Sequence, residues 1–580
     1  MGKIYFLPDY GIIPNLETDC SENLQRLFNL VEDDSIIHFK TGKYFLSQIV
    51  LLKRKKNIKI LGNNSCIITH YEPCGPKENS NNAFHFTECS EMEINGFFFD
   101  TDNPIGAAGR VVGIDFEHNT VDVKINDEFP VTGYEHICGT NSFDENGVPD
   151  YALATYNNVI KLQENGTSGN TARKRYVGLD YDVTDRQTVR LKLESALPTK
   201  NNCLLKIGHK VNFRYEIYGH SVFTFVFCNN VLIRNIVIYS AASFGVTIEA
   251  RSSDFIFDNF CIKVNDGSSR LKAINADGIH ILGLYGKLEM KNCVIDGLGD
   301  DALNVHGLAA AVTEIKNNTI KMTGRENCLY NSMKECTWAA KGDIIDVYAP
   351  DTFISKGQLE TVEQRADGTL IFKRKNGEIK KGDILANRTF YASVHIDGCV
   401  LRNTRARGVL IQTENVLIEN CFIGGTSFAA MLFAPDIKFW WEVGPSKNVE
   451  IRNNVIEYCT AANTPQNKAA IVFKASHDGE GTGYPAGVHD GIYIHDNYFK
   501  DIPHSAVFIA AAKNVRVENN EFNNCCMLAD TVNDKFAEYD IVAVNCENIK
   551  VSGNRSNRGA KTLYLMDNCN LFEGYSESKK

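Results

Sequence analysis

Short runs of alternating apolar and polar residues, each ending near an asparagine or aspartate, recur from the middle of the chain to its end. The residues that mark these runs are Asn235, Asn259, Asn292, Asn317, Asp397, Asn420, Asn453, Asp496 and Asn519. Neighbouring marks are 23 to 25 residues apart where the intervening turns are short. A period of this size indicates a solenoid, and strand-like alternation makes each repeat a coil of β-strands. The repeat therefore predicts an all-β, right-handed parallel β-helix with three short strands per coil.

Asparagine is unusually frequent, at about one residue in ten of the 580. An Asn side chain at the same position of successive coils can bond to the next coil and satisfy backbone groups of the turn. The repeat therefore predicts an asparagine ladder along the solenoid.

Two stretches interrupt this rhythm. Residues 104–213 and 322–392 lack the asparagine marks but carry sheet-like alternation. We interpret each as a small β-domain inserted into a turn of the helix. The helical spacing of Leu24, Leu27, Phe28 and Val31 predicts a cap. The expected organisation is a cap with the first coils over 1–103, the first insertion over 104–213, coils with the candidate catalytic residues over 214–321, the second insertion over 322–392, and C-terminal coils over 393–580.

Charge and hydropathy exclude several classes of partner. The net charge is −10 and no basic block stands out, so we expect neither a nucleic acid nor an anionic membrane as partner. No apolar run approaches the ~18 residues of a membrane span. The segment after Met1 lacks the apolar core of a signal peptide. We therefore expect a cytoplasmic protein if Met1 is the native start, and a secreted or periplasmic one if a leader was removed. The 18 cysteines are spread along the chain, which favours free buried thiols.

Three aspartates form the sharpest candidate for chemistry. Asp300 and Asp301 follow Asp277 by 23 and 24 residues, which is about one coil. We therefore expect Asp277 to lie ~4.8 Å from the pair along the helix axis. Like charges at that range raise at least one pKa, which leaves a proton donor beside an ionised base, as a glycosidase requires. We predict that the three are catalytic; the alternative is that they only shape turns.

Polar residues beside the aspartates extend the candidate site. His280 and His306 could orient carboxylates or bind sugar hydroxyls, or be structural. Asn304 could bind substrate or belong to the ladder. Arg405 and Arg407 would share one face of a strand, where they could bind an acidic group, hold a catalytic carboxylate, or form a solvated charge pair.

An aromatic pair adds a further candidate, since two of the 3 tryptophans are adjacent. Trp441 could stack on the apolar face of a sugar, and Glu442 could receive sugar hydroxyls; core packing and an exposed turn are the alternatives. The sequence has no phosphate loop, zinc helix or nucleophile elbow. The aspartates also lack the neutral oxygen ligands of a dedicated calcium site, so we expect no cofactor and no metal.

Taken together, these motifs resemble glycoside hydrolase family 110, the bacterial exo-acting α-1,3-galactosidases. The resemblance is carried by the run from Ala276 to Gly307, by Thr404 to Gly408, and by Trp441 and Glu442 before a Gly-Pro. It covers the whole chain and implies a pectate-lyase-like solenoid with two small β-barrel insertions.

The resemblance also implies an activity. The enzyme would invert the anomeric centre and remove terminal α-1,3-linked galactose, as in blood-group-B-type or linear Gal-α-1,3-Gal glycans. Its partner would be an oligosaccharide or glycoconjugate with a terminal α-galactose. Asp300 would be the general acid, and Asp277 with Asp301 the base that holds water.

Two other functions fit part of the pattern. A polygalacturonase-like inverting hydrolase of uronate polysaccharides shares the β-helix and the aspartate spacing. It would also carry a Gly/Ser-His-Gly and an Arg-Ile-Lys motif, which the sequence lacks. A non-catalytic glycan-binding β-helix would use Trp441 without the aspartates. The spacing alone decides neither inversion nor the order of the aspartate roles, and an oligomer is possible because the side face of a solenoid can be an interface.

Overall fold

The structure is a computed structural model. It describes residues 2–71, 83–129, 139–143, 181–183, 187–192, 206–215, 219, 221–324, 338–437, 440–461, 469–475, 482–529 and 536–571.

Parallel strands stacked coil upon coil form the body of the molecule. The larger sheet has 22 strands within the described residues. They are Ile4–Phe6, Ile36–His38, Lys43–Leu46, Lys56–Thr69, Ser90–Thr101, Asn229–Ile238, Ser253–Ile262, Tyr285–Lys291, Val294–Leu298, Ser393–Asp397, Val400–Thr404, Glu414–Glu419, Phe422–Gly424, Lys447–Arg452, Val455–Glu457, His489–His495, Tyr498–Lys500, Ala512–Glu518, Glu521–Asn523, Glu547–Ser552, Arg555–Ser556 and Asn570–Leu571.

A second parallel stack closes the coils and carries the candidate site at its edge. Its strands are Val50–Lys53, Phe84–Thr87, Phe223–Val226, Val246–Glu249, Ile279–Leu282, the first part of Leu303–Lys316, Val409–Ile411, Met431–Phe433, Ala469–Phe473, Ser505–Ala510, Ile541–Val544 and Tyr564–Asp567. Side chains that alternate inward form one continuous apolar core through the solenoid. The prediction of an all-β parallel β-helix is confirmed.

Asparagines form two ladders along the coils. Asn235 and Asn259 sit at a corner with φ of 52° and 51°, and Asn259 Nδ2 donates to Asn235 Oδ1 at 2.8 Å. One residue further along each coil, a buried ladder runs through the C-terminal half, where Asn454 Nδ2 donates to Asn497 Oδ1 at 2.9 Å. Asn454 Oδ1 also accepts the backbone N–H of Cys421 at 2.9 Å. The amides thus satisfy buried turn groups between coils, as the asparagine frequency predicts.

The first insertion is an antiparallel sheet. Its strand order is Gly139–Phe143, Lys210–Arg214, Gly106–Asp115, Thr120–Ile125, Thr188–Lys192 and Tyr181–Val183. Within the described residues the first and last of these are its edges. The strand Lys210–Arg214 leads the chain back to the helix.

The second insertion closes on itself. Its strands pair in the order Leu303–Lys316 (second part), Thr319–Thr323, Thr369–Gly377, Ser355–Gln364, Ile344–Tyr348 and Ile384–Asn387, and the last pairs back with Ala309–Ala311. The antiparallel pairing therefore begins before residue 322, the expected boundary. The prediction that Asn317 marks a coil was wrong. Asn317 lies in the hairpin turn between two antiparallel strands, where a φ of 54° suits Asn as well as it does at a coil corner.

A cap covers the first coils. The α-helix Ser21–Leu30 buries Leu24, Leu27 and Phe28, three of the four residues whose spacing predicts it. The fourth, Val31, directly follows the helix in extended conformation and is also buried. Three 3₁₀ helices are described, at Leu7–Tyr10, Arg388–Phe390 and Ala560–Thr562. No helix in the described part of the chain is long and apolar enough to span a membrane. The cysteines in the described ranges are free, and most are buried, as their spread along the chain predicts.

Candidate active site

The candidate residues lie on turns that are stacked one above another along the helix axis. Each turn has one residue two positions before the first paired residue of a strand in the second parallel stack: Phe244, Asp277, Asp301 and Arg407. That register joins Val246, Ile279, Leu303 and Val409. Because adjacent strands are ~4.8 Å apart, these four side chains are stacked along the helix axis. The repeat itself thus places the Asp301 carboxylate above that of Asp277, and Arg407 above both.

The three aspartates form one cluster. One carboxylate oxygen from each of Asp277, Asp300 and Asp301 lies within 4.8 Å of the other two. Asp277 Oδ1 also accepts the backbone N–H of Asp301 at 3.2 Å. The side chains of Asp277 and Asp301 are 7% and 4% exposed, and that of Asp300 is 14% exposed. Oxygens this close could also hold one cation, as could His395, Asp397 and Glu419 on the outer face.

Two arginines of the next coil hold this cluster. Arg407 Nη1 lies 3.1 Å from Asp301 Oδ2, and the backbone N–H of Arg407 donates to Asp301 Oδ1 at 2.8 Å. Arg405 Nη1 donates to Asp300 Oδ1 at 3.4 Å. The Arg407 guanidinium also lies 5.5 Å from the centroid of the Phe428 ring. Of the roles considered for the arginines, the structure supports the holding of carboxylates.

Burial shifts the proton affinities of the cluster. Burial raises the pKa of Asp277 well above its ordinary value, and the charge of Asp300 adds to this. Burial raises the pKa of Asp301 to about 7, although the Arg407 charge opposes the rise. The cluster therefore retains a proton close to neutral pH, beside a carboxylate that Arg407 keeps partly ionised.

A chain of ring nitrogens leads away from Asp277. His280 Nδ1 lies 2.7 Å from Asp277 Oδ2, and His280 Nε2 lies 3.4 Å from His306 Nε2. His306 Nδ1 donates to the carbonyl of Gly307 at 3.1 Å, so a neutral His306 accepts at Nε2. A neutral His280 must then donate from Nε2 and accept at Nδ1, which requires the proton to be on Asp277. Burial lowers the pKa of His280, which favours the same neutral ring.

Glu442 and Asn304 line the far side of these histidines. The short strand Glu442–Val443 pairs antiparallel with Gly307 and Leu308, which brings Glu442 Oε1 to 3.7 Å from His306 Nε2. Glu442 Oε2 accepts from Gln412 Nε2 at 3.1 Å. Asn304 is 5% exposed, and its Oδ1 has no hydrogen-bond partner in the described part of the chain. An unsatisfied buried acceptor beside the carboxylates is suited to a substrate hydroxyl.

Trp441 is placed differently. Its half-buried side chain packs against an apolar cluster that includes Tyr348 and Phe353 of the second insertion. Its φ of 59° is unusual for a bulky residue and marks local strain next to Glu442. The stacking platform for a sugar stays a prediction.

Sequence reasoning missed three buried residues at this site. Gln412 could have been predicted, because Val305 pairs with Ile411 and the residues that follow them, His306 and Gln412, then lie side by side. Arg214 and Lys272 contact the backbone behind the aspartates. No repeat flags Arg214, because it lies at the end of an insertion.

The sequence is similar to known proteins along most of its length. The family model described as "Right handed beta helix region" matches residues 383–554. Alpha-1,3-galactosidase A of Shewanella woodyi is 28% identical over 429 residues, which span 71% of this chain and 66% of that protein. Alpha-1,3-galactosidase B of Bacteroides thetaiotaomicron is 21% identical over 588 residues, which span 96% of this chain and 91% of that protein. Among solved structures, the family 28 exopolygalacturonase of Yersinia enterocolitica has a TM-score of 0.46 at 12% identity, covering 98% of this chain and 78% of that one. The chain is thus a homologue of bacterial alpha-1,3-galactosidases, and the resemblance to glycoside hydrolase family 110 is confirmed.

Proposed function

We propose that this chain is an inverting exo-glycosidase that removes terminal α-1,3-linked galactose from glycans. The observation that carries the proposal is the cluster of Asp277, Asp300 and Asp301, with oxygens within 4.8 Å and a proton retained near neutral pH. The relatives named alpha-1,3-galactosidases support galactose as the sugar and α-1,3 as the linkage.

Asp300 is assigned as the general acid. It is the most exposed of the three carboxylates, and Arg405 Nη1 donates to its Oδ1 at 3.4 Å. Asp300 is therefore the carboxyl best placed to approach a glycosidic oxygen. The proton that Asp277 retains would move to Asp300, whose carboxylate oxygen lies within 4.8 Å, and from there to the glycosidic oxygen as the aglycone leaves. The order of roles implied by the family resemblance is the same.

Asp277 and Asp301 are assigned to the attacking water. Asp301, which Arg407 keeps partly ionised, accepts the proton of the water as it attacks the anomeric carbon. Asp277 stands beside it and is fixed by His280 and by the backbone N–H of Asp301. The cluster is tighter than the ~6.5–9.5 Å typical of two-carboxylate inverting sites. Inversion therefore rests on the resemblance, and the anomeric form of the product tests it.

Asn304 and Glu442 would bind hydroxyls of the terminal galactose, whereas His280 and His306, whose ring nitrogens bond to Asp277, to each other and to Gly307, would orient the Asp277 carboxyl. The unsatisfied Asn304 Oδ1 can accept from a hydroxyl, and the Glu442 carboxylate is a strong acceptor. Blood-group-B-type and linear Gal-α-1,3-Gal glycans both present such a galactose. A uronate polymer would require a cation for its carboxylate, but Arg405 and Arg407 are already paired with aspartates.

Galactose release from Gal-α-1,3-Gal tests the proposal. We expect turnover by the unaltered protein, and a loss of at least about 100-fold in Asp300→Asn and in Asp301→Asn, since acid–base catalysis contributes about 10²–10⁴-fold. Asp258→Asn, a half-buried aspartate of a strand in the larger sheet, is the matched control and should keep full activity. Release of galacturonate from a galacturonan oligomer, or glycan binding without any turnover, would refute the proposal.

A further inference from the structure

Two buried basic side chains lie behind the turn that carries Asp300 and Asp301. We propose that Arg214 and Lys272 are positioning residues that hold this turn, and that the first inserted sheet is therefore part of the catalytic framework. Both donate to carbonyl groups of the residues that precede the aspartates.

Arg214 joins the inserted sheet to two coils at once. It is the last residue of the strand Lys210–Arg214 and is 2% exposed. Its Nη1 donates to the carbonyl of Gly299 at 2.9 Å and to that of Asn275 at 3.1 Å. Gly299 directly precedes Asp300, and Asn275 lies two residues before Asp277. One guanidinium thus holds the backbone before both halves of the cluster.

The start of the insertion makes a second connection. Asn275 Nδ2 donates to the carbonyl of Ile105 at 2.8 Å, and Gly106 pairs with Arg214 in the inserted sheet. Both ends of the insertion therefore rest on the turn before Asp277. An inserted sheet with no role at the site would not require these hydrogen bonds to the turns before Asp277 and Asp300.

Lys272 holds the next carbonyl. It is 3% exposed, and its Nζ donates to the carbonyl of Leu298. The same carbonyl accepts the backbone N–H of Arg405 at 3.1 Å. The carbonyls of Leu298 and Gly299, the two residues before Asp300, thus each accept a hydrogen bond from a buried basic side chain.

The backbone at Gly299 packs directly against the backbone at Asn275. A Cβ on Gly299 would lie 2.1 Å from the carbonyl oxygen of Asn275, so only glycine allows this approach. If the Arg214 guanidinium is removed, the buried carbonyls of Asn275 and Gly299 lose a charged donor. The turn must then move to give these carbonyls another hydrogen-bond donor. Because a displacement of about 1 Å can cost about 10²-fold in rate, Asp300 and Asp301 need not be altered themselves for catalysis to fail.

Arg214→Met tests the proposal by kinetics and by amide hydrogen exchange. We expect kcat to fall about 10- to 100-fold with KM changed less than about threefold, because the turn and not the sugar contacts is disturbed. Exchange should quicken at the amide of Gly299, which donates to Ile274, and at that of Asp301, which donates to Asp277. Arg190→Met is the matched control, since Arg190 is an exposed arginine of the same sheet paired with Asp122, and it should behave as the unaltered protein.

Hydrogen exchange keeps this test separate from the proposed function. It is measured without substrate, so it decides the role of Arg214 even if the protein does not act on galactosides. Arg214→Lys keeps a cation and should show smaller changes in the same direction; it also serves if Arg214→Met does not fold. Unchanged exchange at Gly299 and Asp301 in a folded variant, or kcat within twofold of the unaltered protein, would overturn the proposal.

Discussion

Replacing Arg407 by methionine should move the pH dependence of the enzyme. Asp301 has a pKa of about 7 because burial raises it while the Arg407 guanidinium, 3.1 Å away, opposes the rise. An opposite charge at this distance lowers a carboxyl pKa by about 1–3 units. Without it, Asp301 holds its proton to a higher pH. The acidic limb of kcat/KM should therefore move upward by about 1–3 pH units.

The loss of rate follows from the ionised fraction of Asp301. At pH 7 about half of Asp301 is ionised in the unaltered protein, so a shift of this size should lower kcat/KM about 5- to 500-fold. Part of the rate should return as the pH is raised, because the base then ionises. A variant that had only lost its fold would not recover in this way.

The assay is a pH–rate profile of galactose release from Gal-α-1,3-Gal. Arg402→Met is the matched control, since Arg402 lies in the preceding strand and pairs with Asp296 at half-exposed positions. Its profile should match that of the unaltered protein. An acidic limb that stays near pH 7 in Arg407→Met would refute the assignment of Asp301 as the base.

Three further predictions concern stability. Because the pKa of Asp277 is raised, the folded protein holds a proton that the unfolded chain loses above pH ~4, so its stability falls as the pH rises. The melting temperature of Asp277→Asn minus that of the unaltered protein should therefore become larger as the pH is raised from 5 to 8. A difference that does not change with pH would contradict this. Gly299→Ala should lower both the melting temperature and the activity, because the added Cβ meets the Asn275 carbonyl. Gly483→Ala is the control, since a Cβ there has open space, and it should change neither. Equal melting temperatures for the two variants would argue against the close approach at Gly299. Asn454→Ala should cost about 1–3 kcal/mol, since it leaves the buried Cys421 N–H without its acceptor and removes one donor from the Ile418 carbonyl. Denaturant unfolding measures this cost, and a cost below about 0.5 kcal/mol would contradict the role of the buried ladder.

The sequence was sufficient for the features that repeat. A period of one coil predicted both the solenoid and the closeness of Asp277 to Asp300 and Asp301, because parallel strands convert a fixed spacing in sequence into a fixed spacing along the axis. It failed at Asn317, since a hairpin turn and a coil corner both favour an asparagine with positive φ. Local sequence does not distinguish the two.

Contacts that cross an insertion could not be predicted. Arg214 reaches Gly299 only because the inserted sheet returns its last strand to the helix at that turn, and the inserted residues 104–213 carry no period that could place this strand. Trp441 illustrates a different difficulty. Its aromatic ring suits a sugar or a core equally well, and the fold of the second insertion decides what it packs against.

An NMR time course of Gal-α-1,3-Gal hydrolysis tests the central claim most directly. The three-aspartate mechanism, with water held by Asp277 and Asp301, predicts that β-galactose appears first and that α-galactose grows only as the sugar mutarotates. Early α-galactose would contradict inversion and would instead make one of the clustered carboxylates a nucleophile.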